Sequence, residues 1–365
     1  MKIAILGTRG IPNNYGGFEQ FAEYLADGLV QRGIEVSVYN SHNHPYQEKV
    51  WRDVEIIHCY DPEDKYGTAG QFIYDLNCIL DSRKRNFDII LQLGYTSSTI
   101  WGWLLPSKSI ITTNMDGLEW IRSKYSKPVQ RFLEFAEYLG TKFSDHWISD
   151  SIGIQEYLNQ KYKLDSVYIP YGAFVFENPD DKDLVAYQVQ PYQYDMLIAR
   201  LEPENNIETI LDGVVNAKTK RTFLVIGKHQ TKFGEYLKSK FQSSEHIKFI
   251  GGIYDINVLN NLRHYSNIYF HGHSVGGTNP SLLEAMASSA LICANRNKFN
   301  STILENDAFY FSNAKEVSFI LETEEKSNQQ VKVEANFNKI KEIYTWNLIV
   351  EQYLNHFKQI YSIGK

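Results

Sequence analysis

The segment GTRGIPNNYGGFEQ connects a short apolar strand, which ends at Gly7, to an amphipathic helix. Two adjacent glycines, Gly16 and Gly17, lie where the helix begins. Paired glycines at a helix N-terminus let backbone N–H groups approach a phosphate closely, and the helix dipole favours negative charge. The segment predicts a phosphate contact, with Arg9 as an additional cation. The alternative is a flexible turn that only needs glycine at positive φ.

Two turns in the second half of the chain place cations directly after strands. Arg200 lies in MLIARLEPENNIETIL, and Lys228 and His229 follow a strand in LVIGKHQTKFG. A guanidinium can grip a phosphate through two parallel hydrogen bonds. We therefore expect Arg200 and Lys228 to bind phosphate. The alternatives are a surface ion pair of Arg200 with a neighbouring acid, and solvated loop charges.

The segment GGTNPSLLEAM runs from a polar loop into a helix that carries one acid, Glu284, on an otherwise apolar face. The loop amides at Gly277, Thr278 and Asn279 are candidates for a phosphate. Glu284, one turn into the helix, could accept hydrogen bonds from two adjacent hydroxyls of a ribose. An unpaired buried acid would be costly, so Glu284 needs a partner. An ordinary helix-surface salt bridge is the alternative.

These turns belong to a regular alternation of short apolar strands and helical segments, which is typical of parallel sheets buried on both faces. The predicted strands cover 3–6, 36–39, 55–58, 89–93, 110–113, 146–149, 167–169, 196–199, 222–226, 248–250, 268–271 and 291–294. The predicted helices include 18–32, 72–84, 129–141, 207–217, 233–241, 258–263 and 281–287.

The expected fold class is α/β, with two doubly wound domains in tandem. We place the first domain at 1–172, a linker rich in acids and prolines at 173–193, and the second domain at 194–343. An amphipathic helix over 344–365 is expected to pack at the domain junction. Since ligands bind beyond the carboxyl ends of parallel strands, two facing domains would enclose a cleft between these turns.

Composition excludes several classes. The net charge of −6 argues against whole-molecule attraction to nucleic acid. No apolar run is long enough to span a membrane, and the first ten residues are too polar for a signal peptide. The three cysteines are scattered, without metal or redox spacing. We expect a cytoplasmic protein, with surface attachment to a membrane left open.

A dinucleotide site is the rival for the first glycine loop. That site needs the spacing G-x-G-x-x-G and an acid after the next strand. Here the glycines are too widely spaced, and the next strand ends in Tyr39 and Asn40. The pattern argues against a nicotinamide cofactor.

In combination these segments resemble the family 4 retaining glycosyltransferases of GT-B fold, which use nucleotide-diphosphate sugars. The segments, in order, are YGGFEQFAEYLADGLVQRGIEVSVY, VYIPYGA, ARLEPENN and NPSLLEAMASSALICAN. The last two are similar to the family's donor signature and to the end of its Glu-x7-Glu motif. The resemblance covers nearly the whole chain and implies a nucleotide-sugar donor without a metal cofactor.

The segments TNMDGLEWIRSKYSKPVQRFLEFAE, SDSIGIQEYL and HGHSVGGTNPSLLEAMA resemble a bacterial subgroup that includes rhamnosyltransferases of polysaccharide assembly. This resemblance implies a donor such as dTDP-L-rhamnose. The implied acceptor is a lipid-diphosphate-linked saccharide at the inner face of the plasma membrane.

The sequence departs from the family pattern at two positions. Asn205 stands where the signature has lysine, and Gly276 stands where the first glutamate of Glu-x7-Glu belongs. We expect Lys228, with Arg9, to replace the missing cation. A 6-deoxysugar donor would not need the missing glutamate.

The resemblance implies a retaining reaction in which the leaving phosphate accepts the acceptor's proton. Arg200, Lys228 and the glycine-loop amides would stabilise the leaving diphosphate. Asp116, after the strand at 110–113, could orient the acceptor hydroxyl, or it could instead cap the helix that contains Trp120. Asp150 is a second catalytic candidate. The alternative is that this position serves helix capping at Ser151.

Basic and aromatic side chains mix in the segment from Trp120 to Phe132. Arg122, Lys124, Lys127 and Arg131 would suit contact with anionic lipids. An ordinary solvated helix face is the alternative.

Two other functions remain open. One is a nucleotide-sugar epimerase of the same fold, which needs no acceptor. The other is a non-catalytic partner of an active transferase. The departures from the family pattern at Asn205 and Gly276 are compatible with this function. The sequence leaves the nucleotide base, the sugar, the linkage and the oligomeric state undetermined.

Overall fold

The computed structural model describes residues 1–14, 16–122 and 124–363. Contacts divide the chain into two compact units. The first comprises Met1–Ile121, Tyr125–Gly172 and Trp346–Lys365, and the second Arg122–Lys124 and Ala173–Thr345. The finer boundaries drawn from the sequence, including the linker over 173–193, stay a prediction.

The first unit is built on one twisted sheet with helices between its strands. Its strands are β1 (Lys2–Leu6), β2 (Glu35–Ser41), β3 (Val50–Trp51), β4 (Val54–Cys59), β5 (Ile89–Leu93), β6 (Ile110–Asn114), β7 (His146–Ser149) and β8 (Val167–Tyr168). Its helices before the second unit are α1 (Gly17–Val30), α2 (Glu63–Tyr66), α3 (Ala69–Ser82), α4 (Lys127–Phe143) and α5 (Ile152–Tyr162). The strand order is β3-β4-β2-β1-β5-β6-β7-β8, and every pairing except β3 with β4 is parallel.

The second unit repeats this plan with a smaller, wholly parallel sheet. Its strands are β9 (Tyr194–Ile198), β10 (Thr222–Ile226), β11 (Ile247–Gly251), β12 (Tyr269–His271), β13 (Ile292–Asn295) and β14 (Phe309–Phe311), in the order β11-β10-β9-β12-β13-β14. Its helices are α6 (Ile207–Asn216), α7 (Lys232–Lys240), α8 (Ile256–Tyr265), α9 (Pro280–Ala287), α10 (Lys298–Leu304), α11 (Ala314–Thr323) and α12 (Gln330–Lys339).

Mainly apolar runs account for the central strands. All five residues of β5 are buried, as a strand covered by helices on both faces requires. Every predicted strand is present, with ends that differ by at most two residues. The sequence reading missed β3 and β14, because two or three residues are too few to show a pattern.

The last helix, α13 (Trp346–Ile363), returns the chain to the first unit. The ring of Phe21 in α1 lies 5.2 Å from that of Tyr353 and 5.9 Å from that of Trp346. The hydroxyl of Thr112 lies 3.1 Å from Nε2 of His356. The predicted amphipathic helix therefore supplies part of the first unit's core.

Helix α3 buries a carboxylate, that of Asp75, whose Oδ2 accepts a 2.5 Å hydrogen bond from the hydroxyl of Ser97. Burial raises the pKa of Asp75 to about 6, although the Ser97 hydrogen bond opposes the shift. The folded protein therefore holds the Asp75 proton more tightly than the unfolded chain does. The stability linked to this group is present in full below the unfolded pKa and is lost as pH rises through about 6.

We expect Asp75→Asn to stabilise the protein above pH 6, because the variant has no charge to bury. The gain should grow from near zero at low pH to about 3 kcal/mol at pH 8, since one pKa unit is worth 1.36 kcal/mol. Denaturant unfolding of both proteins at several pH values measures it. Glu48→Gln, at an exposed position, is the control and should show no such rise. A constant difference between Asp75→Asn and wild type would contradict the prediction.

Candidate functional site

The order of strands reverses inside the second sheet between β9 and β12. From β9 the chain proceeds outward through β10 to β11, and from β12 it proceeds the other way through β13 to β14. Ligands of open parallel sheets bind beyond the carboxyl ends of the strands at such a reversal. The turn after β9, which carries Arg200, and the loop after β12, residues 272–279, therefore form the candidate site of this unit.

Backbone contacts join the turn and the loop. Nδ2 of Asn206 donates to the carbonyl oxygen of Gly272 at 2.8 Å, and the hydroxyl of Ser274 donates to that of Glu204 at 2.7 Å. A Cβ at Gly272 would overlap the carbonyl oxygen of Asn205. Glycine is therefore required where the loop crosses the turn.

The turn after β9 presents Arg200 to solvent, and no ion pair of its guanidinium is found in the described part of the chain. Nδ2 of Asn205 donates to the Arg200 carbonyl oxygen at 2.7 Å, so this amide fixes the backbone beneath the guanidinium. Lys228 is exposed after β10, with Nζ 5.7 Å from the centre of the Tyr254 ring. Both cations are available to an anion.

The loop after β12 leads into α9 with Asn279 as the N-cap, whose Oδ1 accepts from the Ser281 amide at 2.9 Å. Thr278 is buried beside it. Glu284 lies one turn into α9, and its Oε2 accepts a 2.6 Å hydrogen bond from Nη2 of Arg263 in α8. Arg263 is the partner that Glu284 was expected to need, and no sequence pattern indicated which residue it would be.

Gly276 has a φ of +129°, which side chains rarely adopt. A glutamate at this position would be strained whatever ligand is bound. The backbone of the loop thus supplies a reason for the missing first glutamate that does not depend on the donor sugar.

Two histidines that the sequence analysis did not single out lie in the same loop region. The rings of His271 and His273 stack with centres 4.4 Å apart, and no hydrogen-bond partner is found among the described residues for either ring nitrogen of His271. Burial, followed by Arg200 and Arg122, lowers the pKa of His273 to about 3. Burial and His273 hold the pKa of His271 well below its usual range. Both imidazoles are therefore neutral. The spacing of two residues between His271, at the end of β12, and His273, in the loop after it, was the available signal.

Glu204, which immediately precedes Asn205 in the quoted signature, was considered only as an ion-pair partner of Arg200, and it pairs with Arg122 instead. Its carboxylate is buried, and Nη1 of Arg122 lies 3.7 Å from Oε1. The Arg122 side chain is only 16% exposed. This burial argues against contact between Arg122 and lipid headgroups.

In the first unit, Gly16 is the N-cap of α1, as the glycine loop predicts. The loop before it is clamped by Asn40, whose side chain exchanges two hydrogen bonds with the backbone of Ile11. The guanidinium of Arg9 makes a two-bonded ion pair with Glu63 at 2.7 and 2.8 Å. Its charge is thus already neutralised, which argues against Arg9 as a phosphate ligand.

Asp116 and Asp150 follow the neighbouring strands β6 and β7. Burial, then Asp116, then Asp150 hold the pKa of the Tyr171 hydroxyl well above its usual range, so both carboxylates lie near one phenol. The hydroxyl of Ser151 accepts from the Ile154 amide at 3.2 Å and caps α5, which leaves Asp150 out of the capping role. The structure brings the two acids together at one edge of the sheet.

A buried carboxylate, that of Glu137 in α4, ties down the segment after Asp116. It accepts hydrogen bonds from Nε1 of Trp120 at 3.2 Å and from the hydroxyls of Tyr157 and Tyr162 at 2.7 Å, and Nζ of Lys161 lies 3.1 Å away. Because Trp120 follows Asp116 and the other three partners belong to α5, the acid links the loop that carries Asp116 to α5.

The comparisons agree with this architecture. Residues 1–174 match the model of a family described as a domain of unknown function, DUF1972. No curated protein matches the chain. A sucrose-phosphate synthase from Thermosynechococcus elongatus is similar in structure at a TM-score of 0.80 and 15% identity, with 99% of each chain covered.

Two further solved structures are similar over almost their whole length. HepE of Anabaena in complex with UDP and glucose has a TM-score of 0.75 at 16% identity, covering 98% of this chain and 100% of that one. WaaG, a glycosyltransferase involved in lipopolysaccharide biosynthesis, has a TM-score of 0.70 at 12% identity, covering 96% and 98%. The chain has the GT-B fold. The α/β class expected from the sequence is confirmed, while identities this low establish the fold alone.

We expect Gly272→Ala to destabilise the protein, because the added methyl group would force the loop after β12 away from the Asn205 carbonyl. Overpacking of this kind costs about 1–3 kcal/mol. The midpoint of denaturant unfolding measures the loss. Gly17→Ala is the control, since a Cβ at Gly17 meets no atom within 4 Å. Equal midpoints for Gly272→Ala and wild type would show that the loops do not constrain each other.

Proposed function

We propose that this protein is a glycosyltransferase that takes a sugar from a nucleotide-diphosphate donor. The observation that carries the proposal is the convergence of Arg200, the α9 loop and Glu284 at the strand reversal of the second sheet. A guanidinium and a helix N-terminus suit a diphosphate, and a partly exposed carboxylate suits ribose hydroxyls. The GT-B fold shared with HepE, whose structure holds UDP and glucose, supports this assignment.

The chemistry follows from the charges. Cleavage of the sugar–phosphate bond builds negative charge on the leaving diphosphate, and groups that bind this charge in the transition state accelerate the reaction. Arg200 and Lys228 supply positive charge, and the amides of Gly277, Thr278 and Asn279 supply hydrogen bonds. The amides of Gly16 and Gly17 stay predicted phosphate contacts. Asn205 acts indirectly, by holding the Arg200 backbone.

On the acceptor side, we assign to Asp116 the orientation of the acceptor hydroxyl. We assign to Asp150 a contribution to the electrostatic field around that hydroxyl. The reaction proceeds with retention, and the leaving phosphate accepts the proton of the acceptor hydroxyl. The resemblance implies that neither a protein nucleophile nor a metal ion takes part.

We assign dTDP-L-rhamnose as the donor and a lipid-diphosphate-linked saccharide as the acceptor, in cell-surface polysaccharide synthesis. The quoted subgroup motifs support the rhamnose assignment. Work on a lipid-linked acceptor would place the protein at the inner face of the plasma membrane.

Arg200→Met and Asp116→Asn should separate donor binding from catalysis. We expect Arg200→Met to weaken nucleotide binding at least tenfold, because it removes a charge-assisted contact with the diphosphate. Asp116→Asn should keep wild-type nucleotide affinity and lose at least a hundredfold in turnover. Calorimetry with UDP, GDP and dTDP, together with release of nucleotide from their sugars with a lipid-linked acceptor, measures both.

Lys248→Met, a conservative removal of charge in β11, is the control for Arg200→Met. Turnover of the donor without any acceptor, to an isomeric sugar, would indicate the epimerase. Nucleotide binding without any turnover would favour the non-catalytic partner. Tight binding of nucleotide by Arg200→Met would overturn the proposed site.

Helix α4 supplies a surface for membrane attachment. Lys127 and Arg131 are exposed on it beside exposed Phe135 and Tyr138, at 53% and 43%. Trp103, 67% exposed, lies in a 3₁₀ turn packed against this helix. Mixed basic and aromatic side chains suit the headgroup region of anionic bilayers. None of the helices within the described residues has the length and apolar character to cross a bilayer. Lys124 stays a predicted contact.

We expect the wild type to float with vesicles that contain anionic lipid and not with neutral vesicles. Lys127→Glu combined with Arg131→Glu should abolish flotation, since each basic residue near such a surface contributes about 1 kcal/mol. Lys232→Glu combined with Lys238→Glu, an equal change on α7 of the second unit, is the matched control. Flotation that is unaffected by the two α4 substitutions would contradict the assignment of this surface to membrane contact.

A further inference from the structure

We propose that Glu137 is a positioning residue for sugar transfer, because one oxygen of its carboxylate holds the loop over residues 115–120, which carries Asp116. The inference rests on the proposed function, in which Asp116 orients the acceptor hydroxyl. It goes further by assigning a role in turnover to a buried side chain of α4 that acts through other residues.

The backbone on both sides of Asp116 is held by hydrogen bonds to other parts of the first unit. Before it, the amide of Met115 donates to the carbonyl oxygen of Ile148 in β7 at 2.8 Å. After it, the carbonyl oxygen of Gly117 accepts a 2.9 Å hydrogen bond from the hydroxyl of Tyr95. Because Asp116 belongs to no strand or helix, these contacts of its two neighbours determine where its carboxylate lies.

The carboxylate of Glu137 divides its partners between its two oxygens. Oε1 accepts hydrogen bonds from the hydroxyls of Tyr157 and Tyr162, each at 2.7 Å, and Nζ of Lys161 donates to it at 3.1 Å. All three of these donors belong to α5. Oε2 accepts from Nε1 of Trp120 at 3.2 Å. One oxygen therefore holds α5, and the other holds the end of the loop.

Oε2 of Glu137 also lies beside the second contact that holds the loop. The hydroxyl of Tyr95, which donates to the Gly117 carbonyl oxygen, is 3.4 Å from this oxygen. Glu137 and Tyr95 are each only 1% exposed, so water does not compete for these groups. Because hydrogen bonds in such a buried network depend on one another, a change at Oε2 should affect the loop at both Gly117 and Trp120.

A glutamine at position 137 would break the contact with the loop and keep those with α5. The side-chain amide of glutamine has one oxygen, which accepts, and one nitrogen, which only donates. Its oxygen would face the three donors of α5, because these include the ammonium group of Lys161. The nitrogen would then face the indole N–H of Trp120, which is also a donor. Glu137→Gln therefore removes the Trp120 hydrogen bond while the shape of the side chain is kept.

Kinetics and calorimetry together test the proposal. The kinetic assay follows release of nucleotide from UDP-, GDP- and dTDP-sugars with the lipid-linked acceptor, and calorimetry measures binding of UDP, GDP and dTDP. We expect Glu137→Gln to lower kcat at least tenfold, because Asp116 loses its orientation toward the acceptor hydroxyl. Nucleotide affinity should stay within twofold of wild type, since Arg200 and the α9 loop belong to the second unit. A smaller loss of kcat, or a larger change in affinity, would overturn the proposal.

Trp120→Phe shows whether Glu137 acts through the loop. The phenylalanine ring fills most of the space of the indole but has no N–H to donate. If both residues act through the same hydrogen bond, Trp120→Phe combined with Glu137→Gln should have a kcat within threefold of that of Glu137→Gln alone. Independent structural roles would multiply the two losses, so a further loss greater than threefold would overturn the proposal.

Tyr162→Phe is the matched control, because it removes a 2.7 Å hydrogen bond to Oε1 of the same carboxylate and leaves the contacts of the loop intact. Its kcat should stay within twofold of wild type. An equal loss of kcat in Tyr162→Phe and Glu137→Gln would indicate a general loss of stability and would count against the proposal. If Glu137→Gln does not fold, Trp120→Phe decides, with an expected loss of at least fivefold in kcat against this control.

Hydrogen exchange tests the link without any substrate. The peptide that covers residues 115–121 should exchange faster in Glu137→Gln than in wild type, and at the wild-type rate in Tyr162→Phe. Unchanged exchange of this peptide in Glu137→Gln would contradict the positioning role. If the wild type transfers no sugar, the proposed function fails, and hydrogen exchange alone then decides whether Glu137 positions the loop.

Discussion

The crossing of two backbone segments, the turn after β9 and the loop after β12, determines the geometry of the candidate site in the second unit. Gly272 lies against the Asn205 carbonyl, and hydrogen bonds from Asn206 and Ser274 hold the two segments together. Because neither segment can move alone, Arg200 and the stacked histidines keep fixed places beyond the sheet. The α9 helix begins directly after the same loop, so Glu284 is placed by the same contact.

The two positions that depart from the resembled glycosyltransferase signature have local structural roles. Nδ2 of Asn205 donates to the Arg200 carbonyl oxygen at 2.7 Å. Gly276 occupies a backbone conformation that excludes most side chains. Both residues therefore shape the backbone of the candidate site.

The sequence predicted the parts of the fold and site that depend on local patterns. Buried strands such as β5 and the glycine entry into α1 were read correctly because their signals are contiguous. Arg263 could not be predicted as the partner of Glu284, since the pairing depends on how α8 packs against α9. The same holds for Glu63, which neutralises Arg9 across 54 residues of chain. Long-range ion pairs leave no periodic trace in a sequence.

The charge balance of the second unit's site connects these pairings to its ligand. Glu284 is neutralised by Arg263, and Glu204 lies within 3.7 Å of Arg122. Both stacked histidines are uncharged, because burial and the nearby cations lower their pKa values. Arg200 and Lys228 are then the cations whose charge is not offset by an ion pair in the described chain. A pyrophosphate diester carries one negative charge on each phosphate, so two such cations balance it. A neutral sugar alone would leave this positive charge uncompensated, which supports the proposal that the diphosphate supplies most of the binding energy.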